Sequence, residues 1–351
     1  MSAIRVIHPN PDVKRGVEYW EGVPSTVDGV LGGFGHVSRA DSLGSRSFLL
    51  KILPRLSSIP PASYNCSPEE WLEERLERRG GKGKSRTRAL DCGAGVGRVS
   101  EHSLLPIVDE VHLVEPVEKF LLEAKKLSTQ WAPLTTPPSS SPFRARKAAH
   151  FHCSTLQDMD PSIPYSSCKG KGKQIEPTLS VSDEEASDEV EEGEGRAAGS
   201  KEEPLKFDVV WCQWCLQHLS DKDLIAFLHR SKAALKDEGD EKGLIVVKEN
   251  VCKEEEDGSE HVWYDDEDHS ITRSTKAYER VFKEAGMEIV RCDVQQGLPE
   301  ELFTVKIFKS LRTIDRFSGV GYWISIPRMF NHAKTRVAVR SISVRKMLRR
   351  D

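Results

Sequence analysis

Short apolar runs alternate with longer amphipathic stretches through most of the chain. "RALDCG" (88–93) reads as a strand that enters a glycine turn, "VHLVEP" (111–116) as a second strand and "HFHCS" (150–154) as a third. "KFDVVWCQ" (206–213) is apolar enough to be buried on both faces of a sheet. "GLIVVKEN" (243–250) is a fifth strand, and "MEIVRCDV" and "LFTVKIFKS" are two late ones. Ser220 is placed as an N-cap, with Asp223 at the third helical position, opening the helix "DKDLIAFLHRSKAAL". Ser274 caps "TKAYERVFKEAG", which stops at a glycine. Strand–helix alternation of this kind predicts an α/β fold with a doubly wound, mostly parallel sheet, here of seven strands. Residues 1–87 are expected to be helical and to stand outside that sheet, with one domain over 88–312.

Four segments break the pattern. "YWEGVPSTVDGVLGGFGHVS" (19–38) mixes aromatics with glycines and has no clean period. "WAPLTTPPSSSPFRARK" (131–147) reads as a Pro/Ser loop. Residues 162–206 are low in complexity. Their acidic middle, "DEEASDEVEEGE", cannot bury a core and is expected to be a disordered insertion; Ser182 and Ser187, each followed by acids, make a regulatory role an alternative to a solvated surface. Residues 313–351 form a basic extension with nine Lys/Arg against two acids, read either as a solvated tail or as a nuclear or acidic-partner tether.

The 351 residues, 38% hydrophobic and 30% charged, suffice for one large core with extra segments. A formal net charge of -4 gives no reason to expect a nucleic-acid partner. No apolar stretch has the length of a membrane span, and "MSAIRVIHPNPD" lacks a secretory core. Eight cysteines without such a signal read as reduced thiols in a cytoplasmic or nuclear protein. Cys212 and Cys215 form a lone C-x-x-C inside the fourth strand, and no metal site is expected from them.

The chemistry begins at "ALDCGAGVGR". Gly93, Gly95 and Gly97 follow a strand and open a helix, where glycine permits a tight turn and close ligand approach. The sixth position, glycine in a dinucleotide fingerprint, is Arg98. Asp91 precedes the turn, where a carboxylate repels a pyrophosphate and suits a cation, and Glu115 ends the second strand, where an acid can accept from ribose hydroxyls. These acids favour S-adenosylmethionine, which carries an ammonium and a sulfonium and no phosphate. Dinucleotide binding and a purely structural turn remain as alternatives.

The blocks "YW..VPSTVDGVLGGFGH", "LDCGAGVGR", "LQD", "QWCLQHL", "VKEN" and "DDEDHSITRS" occur in the order of the alpha-N-terminal protein methyltransferase family, which the chain resembles from about Gly16 to Arg312. The resemblance implies a class I, Rossmann-like methyltransferase with an N-terminal helical lid. It implies S-adenosylmethionine as cofactor, and methylation of the α-amine of proteins that begin Xaa-Pro-Lys or Xaa-Pro-Arg after removal of the initiator methionine. A methyltransferase for another amine or a small molecule, and a non-catalytic binding module, are the alternatives.

The same resemblance assigns roles. Gly93, Arg98, Glu115, Leu156, Gln157 and Gln213 would hold the cofactor, Arg98 at its carboxylate and Leu156 and Gln157 at its adenine. Trp20, Leu31, Gly32 and Gly33 would line a peptide groove beneath the N-terminal segment. Phe34 stands where the family often has tyrosine, so a hydroxyl contact is lost there. Trp214 would face the substrate's proline or amine, Asn250 its backbone, and Asp265 its basic third residue, with Ser270 and Arg273 completing that wall. His218 and Asp268 would sit at the amine as proton acceptors.

Overall fold

A computed structural model of the chain describes residues 10–312, apart from 58, 61–63, 72, 75–85, 138–145, 168–173, 181–203 and 239–240. Three helices come first: α1 (Val13–Gly22), the single turn α2 (Val27–Val30) and α3 (Ser38–Ile52). Then follow β1 (Arg88–Cys92), β2 (Glu110–Glu115), α4 (Glu118–Ser128), β3 (Ala148–Cys153), β4 (Gln174–Leu179) and β5 (Val209–Gln213). The second half holds α5 (Asp221–Ala233), β6 (Leu244–Val251), β7 (Val262–Asp265), β8 (Ser270–Arg273), α6 (Thr275–Glu284), β9 (Met287–Val294) and β10 (Thr304–Arg312).

The main sheet has eight strands in the order β9-β10-β6-β5-β1-β2-β3-β4. The five central strands are parallel, whereas β10 runs antiparallel to β6, β9 to β10, and β4 to β3. The seven strands expected from the pattern are all present; the eighth, β4, lies inside 162–206. That segment therefore starts as ordered chain, with a helical turn at Pro164–Ser167 and a strand paired to β3. Its acidic run lies outside the described residues, as does the basic extension. The 131–147 loop is also ordered at its start. Trp131 is buried and opens the helical turn Ala132–Thr135, because its ring fills the space left by Gly97, where an added Cβ would stand 2.5 Å from the indole.

Both faces of the sheet are covered. Leu90, Val210 and Ile245 pack on one side with Phe227 of α5 and Tyr278 and Phe282 of α6. Ala89, Val111, Trp211 and Val246 pack on the other with Phe48 and Leu49 of α3. The caps read from sequence are formed: Ser220 Oγ accepts the Asp223 amide at 3.2 Å, Ser274 accepts that of Ala277, and α6 ends at Gly286 with φ +64°. Cys92, Cys212 and Cys215 are buried thiols. No helix among the described residues is long and apolar enough to cross a membrane.

Polar residues decide where α3 sits. Asp41 is fully buried and pairs with Lys248 of β6 and with Arg98, whose Nη1 lies 2.6 Å from a carboxylate oxygen. Gln213 Nε2 donates to the same carboxylate at 2.9 Å. Burial alone would raise the Asp41 carboxyl, yet Lys248 and Arg98 hold it below its ordinary value. Lys248 is fully buried and is brought down to about 8 by burial, with Asp41 pulling the other way. Removing one member of such a set leaves an uncompensated charge in the core. Asp41→Ala is therefore expected to lower stability in urea unfolding by about 3–5 kcal/mol, and Asp41→Leu combined with Lys248→Met to lose much less. Equal losses in the two proteins would contradict this account of how α3 is held.

Candidate active site

Three glycines with positive φ follow β1: Gly93 at +65°, Gly95 at +53° and Gly97 at +84°. An added Cβ on Gly93 would stand 2.4 Å from Cys215 Cβ, so backbone and neighbour leave room for nothing else. Glu115 turns back from the end of β2 and accepts the amides of Gly95 at 2.8 Å and Val117 at 2.9 Å. Burial pushes its carboxyl up to about 7, against the pull of those two amides. Asp91 does not face a ligand as expected. It is buried behind the turn, accepts from Ser100 Oγ at 2.7 Å, and is pushed up to about 6 by burial. It anchors the start of the following helical segment.

The turn forms the floor of a cleft of about 960 Å³, counted to its open mouth. Gly93, Arg98, Glu115, Leu156, Gln157, Gln213, Trp214 and His218 line it from the sheet side, and Trp20 and Leu31 from the N-terminal segment. Leu156 and Gln157 sit on a turn fixed by Arg230, which donates to their carbonyls at 2.8 and 3.0 Å. Gln213 has both ends of its amide engaged, Oε1 by the Trp211 indole at 3.1 Å and Nε2 by Asp41. Trp214 has φ +53°, a conformation that a non-glycine residue keeps only when its surroundings enforce it. The Asn250 Oδ1 accepts its indole N–H at 3.1 Å, and the Arg98 guanidinium lies 5.6 Å from its ring centre.

The turn after Trp214 carries His218 and is gripped from both sides. Glu249 accepts the amides of Cys215 and Leu216, each at 2.9 Å. Arg273 donates to the carbonyls of Leu216 at 3.1 Å and Leu219 at 2.7 Å, and to Asp221. Arg273 is fully buried and Ser270 nearly so. Of the two residues expected on the substrate wall, Arg273 grips the turn through its carbonyls, and Ser270 donates its amide to Asp268 Oδ1 at 3.0 Å.

Helix α1 closes the cleft over His218. Its N-terminus is tied to the β7–β8 turn by the Asp12 amide, 3.2 Å from the His269 carbonyl. Gly16 then lets His218 and Asp268 come together, since an added Cβ there would lie 3.2 Å from both His218 Nδ1 and the Asp268 carbonyl. Trp20 Nε1 donates to His218 Nε2 at 3.2 Å. Burial lowers the His218 pKa, and Asp268 acts in the opposite sense. Tyr19 faces the same acids: burial raises its phenol, reinforced by Glu267, Asp268 and Asp265. Asp265 accepts the Glu267 amide at 2.9 Å, which shapes the acidic turn. The two candidate proton acceptors and the acidic hairpin thus meet beneath α1; His218 lines the cleft, and Asp268 and Asp265 stand beside His218 and Tyr19 without lining it.

Gly32 and Gly33 are the exception in the N-terminal segment. With φ +59° and +86° they close the turn after α2, and they face open space instead of lining the cleft. Thr26 caps α2 through the Gly29 amide at 3.0 Å, and Asp28 Oδ1 accepts that of Gly35 at 2.9 Å. These bonds explain why so glycine-rich a stretch holds one shape.

Sequence reasoning missed Asp41, Lys248, Glu249, Arg230 and Gly16. Lys248 and Glu249 carried a signal, because charges in a strand otherwise apolar enough for the core must find partners there. One further group, Glu110, His112 and His150, comes close enough to suggest a cation site. Its geometry argues against one: Arg86 and Arg88 hold Glu110, and the two imidazoles stack 18° from parallel, so their lone pairs do not converge.

The family described as AdoMet dependent proline di-methyltransferase matches residues 10–67, 56–167 and 199–311. The alpha N-terminal protein methyltransferase 1 of Arabidopsis thaliana is 34% identical over 84% of this chain and 78% of its own length. The N-terminal Xaa-Pro-Lys N-methyltransferase 1 of Bos taurus is 30% identical over 82% of this chain and 89% of its own. Among solved structures, a SAM-dependent methyltransferase from Leishmania major superposes with a TM-score of 0.52 at 25% identity, over 85% of this chain and 82% of the other.

Glu249 gives the site a measurable pH dependence. Burial pushes its carboxyl from an ordinary 4.5 up to about 7, against the Leu216 and Cys215 amides. In the unfolded chain it ionises first, so its contribution to stability is complete below about 4.5 and is lost as pH rises through about 7. Glu249→Gln keeps a neutral acceptor for the two amides. The drop in melting temperature between pH 5 and pH 8 should be smaller in the variant, by an amount on the order of a few kcal/mol in stability. Identical drops would show that Glu249 stays ionised in the fold.

Proposed function

This chain belongs to the AdoMet-dependent proline di-methyltransferase family, and from that premise we propose that its cleft methylates the α-amine of proteins beginning Xaa-Pro-Lys or Xaa-Pro-Arg after removal of the initiator methionine. It is an S-adenosylmethionine-dependent enzyme of protein α-N-methylation. The name of the bovine relative supports the Xaa-Pro-Lys part of the reading. The observation that carries the proposal is the approach of Asp268 and its acidic hairpin to His218 and Gly16, two residues that line a cleft floored by the glycine turn.

The residues fit the cofactor. The glycine turn offers a cradle that side chains would fill, and Glu115 is a buried acceptor beside it, suited to ribose hydroxyls. Leu156 and Gln157 would take the adenine and Arg98 the carboxylate. The cofactor supplies an electrophilic methyl on a sulfonium. The protein's part is to bring a neutral amine to it and to exclude water. An α-amine has a pKa of about 7.7–8.0, so much of it arrives protonated at pH 7 and needs an acceptor within hydrogen-bond reach. Asp268 provides an acceptor at that point, with His218 beside it. Trp214 offers its ring to the proline, with its orientation set by Asn250. Asp265 and Glu267 set the charge of the rim that meets the basic third residue. We also propose a cytoplasmic and nuclear location, consistent with the free thiols Cys92, Cys212 and Cys215.

Mass spectrometry of a Ser-Pro-Lys peptide and its N-acetylated copy, each incubated with enzyme and cofactor, tests the reading. The free peptide should gain methyl groups on its α-amine and the acetylated one none; methylation of the lysine would contradict it. Asp268→Asn should lose turnover by about 100-fold or more while calorimetric cofactor affinity stays within about threefold. Affinity that falls in step with turnover would instead assign Asp268 to the cofactor.

A further inference from the structure

An indole N–H can donate and cannot accept. The 3.2 Å contact from Trp20 Nε1 therefore requires a bare Nε2 on His218. A neutral imidazole carries one N–H, so its proton sits on Nδ1, the nitrogen that faces Gly16 on α1. Burial keeps the ring neutral, opposed by Asp268, the charged group that acts on it from the β7–β8 turn. Both ring nitrogens are then committed: the Nε2 lone pair to Trp20, and Nδ1 to its own proton. Trp20 is itself held in place, with its ring 6.4 Å from that of Phe120 and edge-on to Tyr19.

We propose that Trp20 is a positioning residue that locks His218 in the Nδ1–H tautomer, so that the proton leaving the substrate amine goes to Asp268. The proposal rests on the α-amine reading of the cleft. An N–H bond of the substrate ammonium breaks and its proton joins a carboxylate oxygen of Asp268. The freed electron pair forms the new N–C bond to the methyl, and the pair of the broken C–S bond stays on sulfur. His218 keeps its proton throughout and orients the nucleophile as a neutral polar wall, with no positive charge to repel an incoming ammonium.

The tautomer can be read directly. Two-bond proton–nitrogen correlations on histidine-labelled enzyme with S-adenosylhomocysteine bound, with the His218 signals assigned by their loss in His218→Gln, distinguish the bare nitrogen from the protonated one. The expected result is a protonated Nδ1 and a bare Nε2 in the wild type. In Trp20→Phe, which keeps a ring and loses the donor, the proton should shift toward Nε2. An Nε2–H form in the wild type would overturn the proposal without any activity measurement. With a Ser-Pro-Lys peptide, Trp20→Phe should lower kcat by about tenfold with a smaller change in KM. It should also move the acidic limb of kcat/KM to higher pH, because a freed Nε2 takes up a proton more readily. An altered tautomer with an unaltered pH profile would overturn the catalytic part. An Nδ1–H signal in a wild-type enzyme inert toward the peptide would support the lock and overturn the α-amine reading.

Discussion

Asp41 has no access to solvent, and two cations and a carboxamide converge on its carboxylate. Each partner comes from a different part of the fold: Lys248 from β6, Gln213 from the end of β5, and Arg98 from the helical start after the glycine turn. Lys248 reaches on to Ser45 and Gln295, both at 2.8 Å, which adds the loop between β9 and β10. Charges in a dry interior are tolerated only as a complete set. The set fixes the face of α3 against the carboxyl ends of the strands, and with it the segment that carries α1 and α2 across the cleft. The N-terminal segment is therefore placed by electrostatics inside the core as well as by apolar contact.

The same logic recurs at the turn bearing His218. A buried carboxyl group, Glu249, takes its amides and a guanidinium, Arg273, takes its carbonyls, so the turn is held by an acceptor on one side and a donor on the other. Trp214, with its positive φ, and His218 project from this turn into the cleft. Helix α1 meets them with Gly16 and Trp20, and the β7–β8 hairpin supplies Asp268. Three elements distant in sequence thus build the corner to which the proposed function assigns the amine chemistry, and none of them could do so alone.

Much of the sheet was legible because its central strands are buried on both faces and read as continuous apolar runs. The exception, β4, has the sequence QIEPTL, with a proline and a charge, and pairs on one side with β3. An edge strand needs no apolar pattern to be held by backbone bonds, so nothing marked it out from the low-complexity chain around it. Trp131 was hidden for a related reason: a buried aromatic among prolines and serines looks like loop until the space beside Gly97 is known. In the site, the glycine turn, Glu115 and the residues at strand ends could be placed from the sequence, and His218 and Asp268 only through the resemblance. The burial of Arg273 and Ser270 was not legible, because sequence order gives the hairpin but not which of its faces meets solvent. Asp41 lay on a helix rich in Ser and Arg, where a carboxylate looks exposed.

The central claim is spatial: the substrate amine lies between Asp268 and His218, beneath α1, with the third residue against the acidic hairpin. A crystal structure of the enzyme with S-adenosylhomocysteine and a Ser-Pro-Lys peptide measures this directly. The account predicts the peptide's amine nitrogen within hydrogen-bond distance of the Asp268 carboxylate and its lysine ammonium beside Asp265. A peptide seated outside the cleft, or entering it with the lysine ammonium toward the cofactor's methyl position, would contradict it.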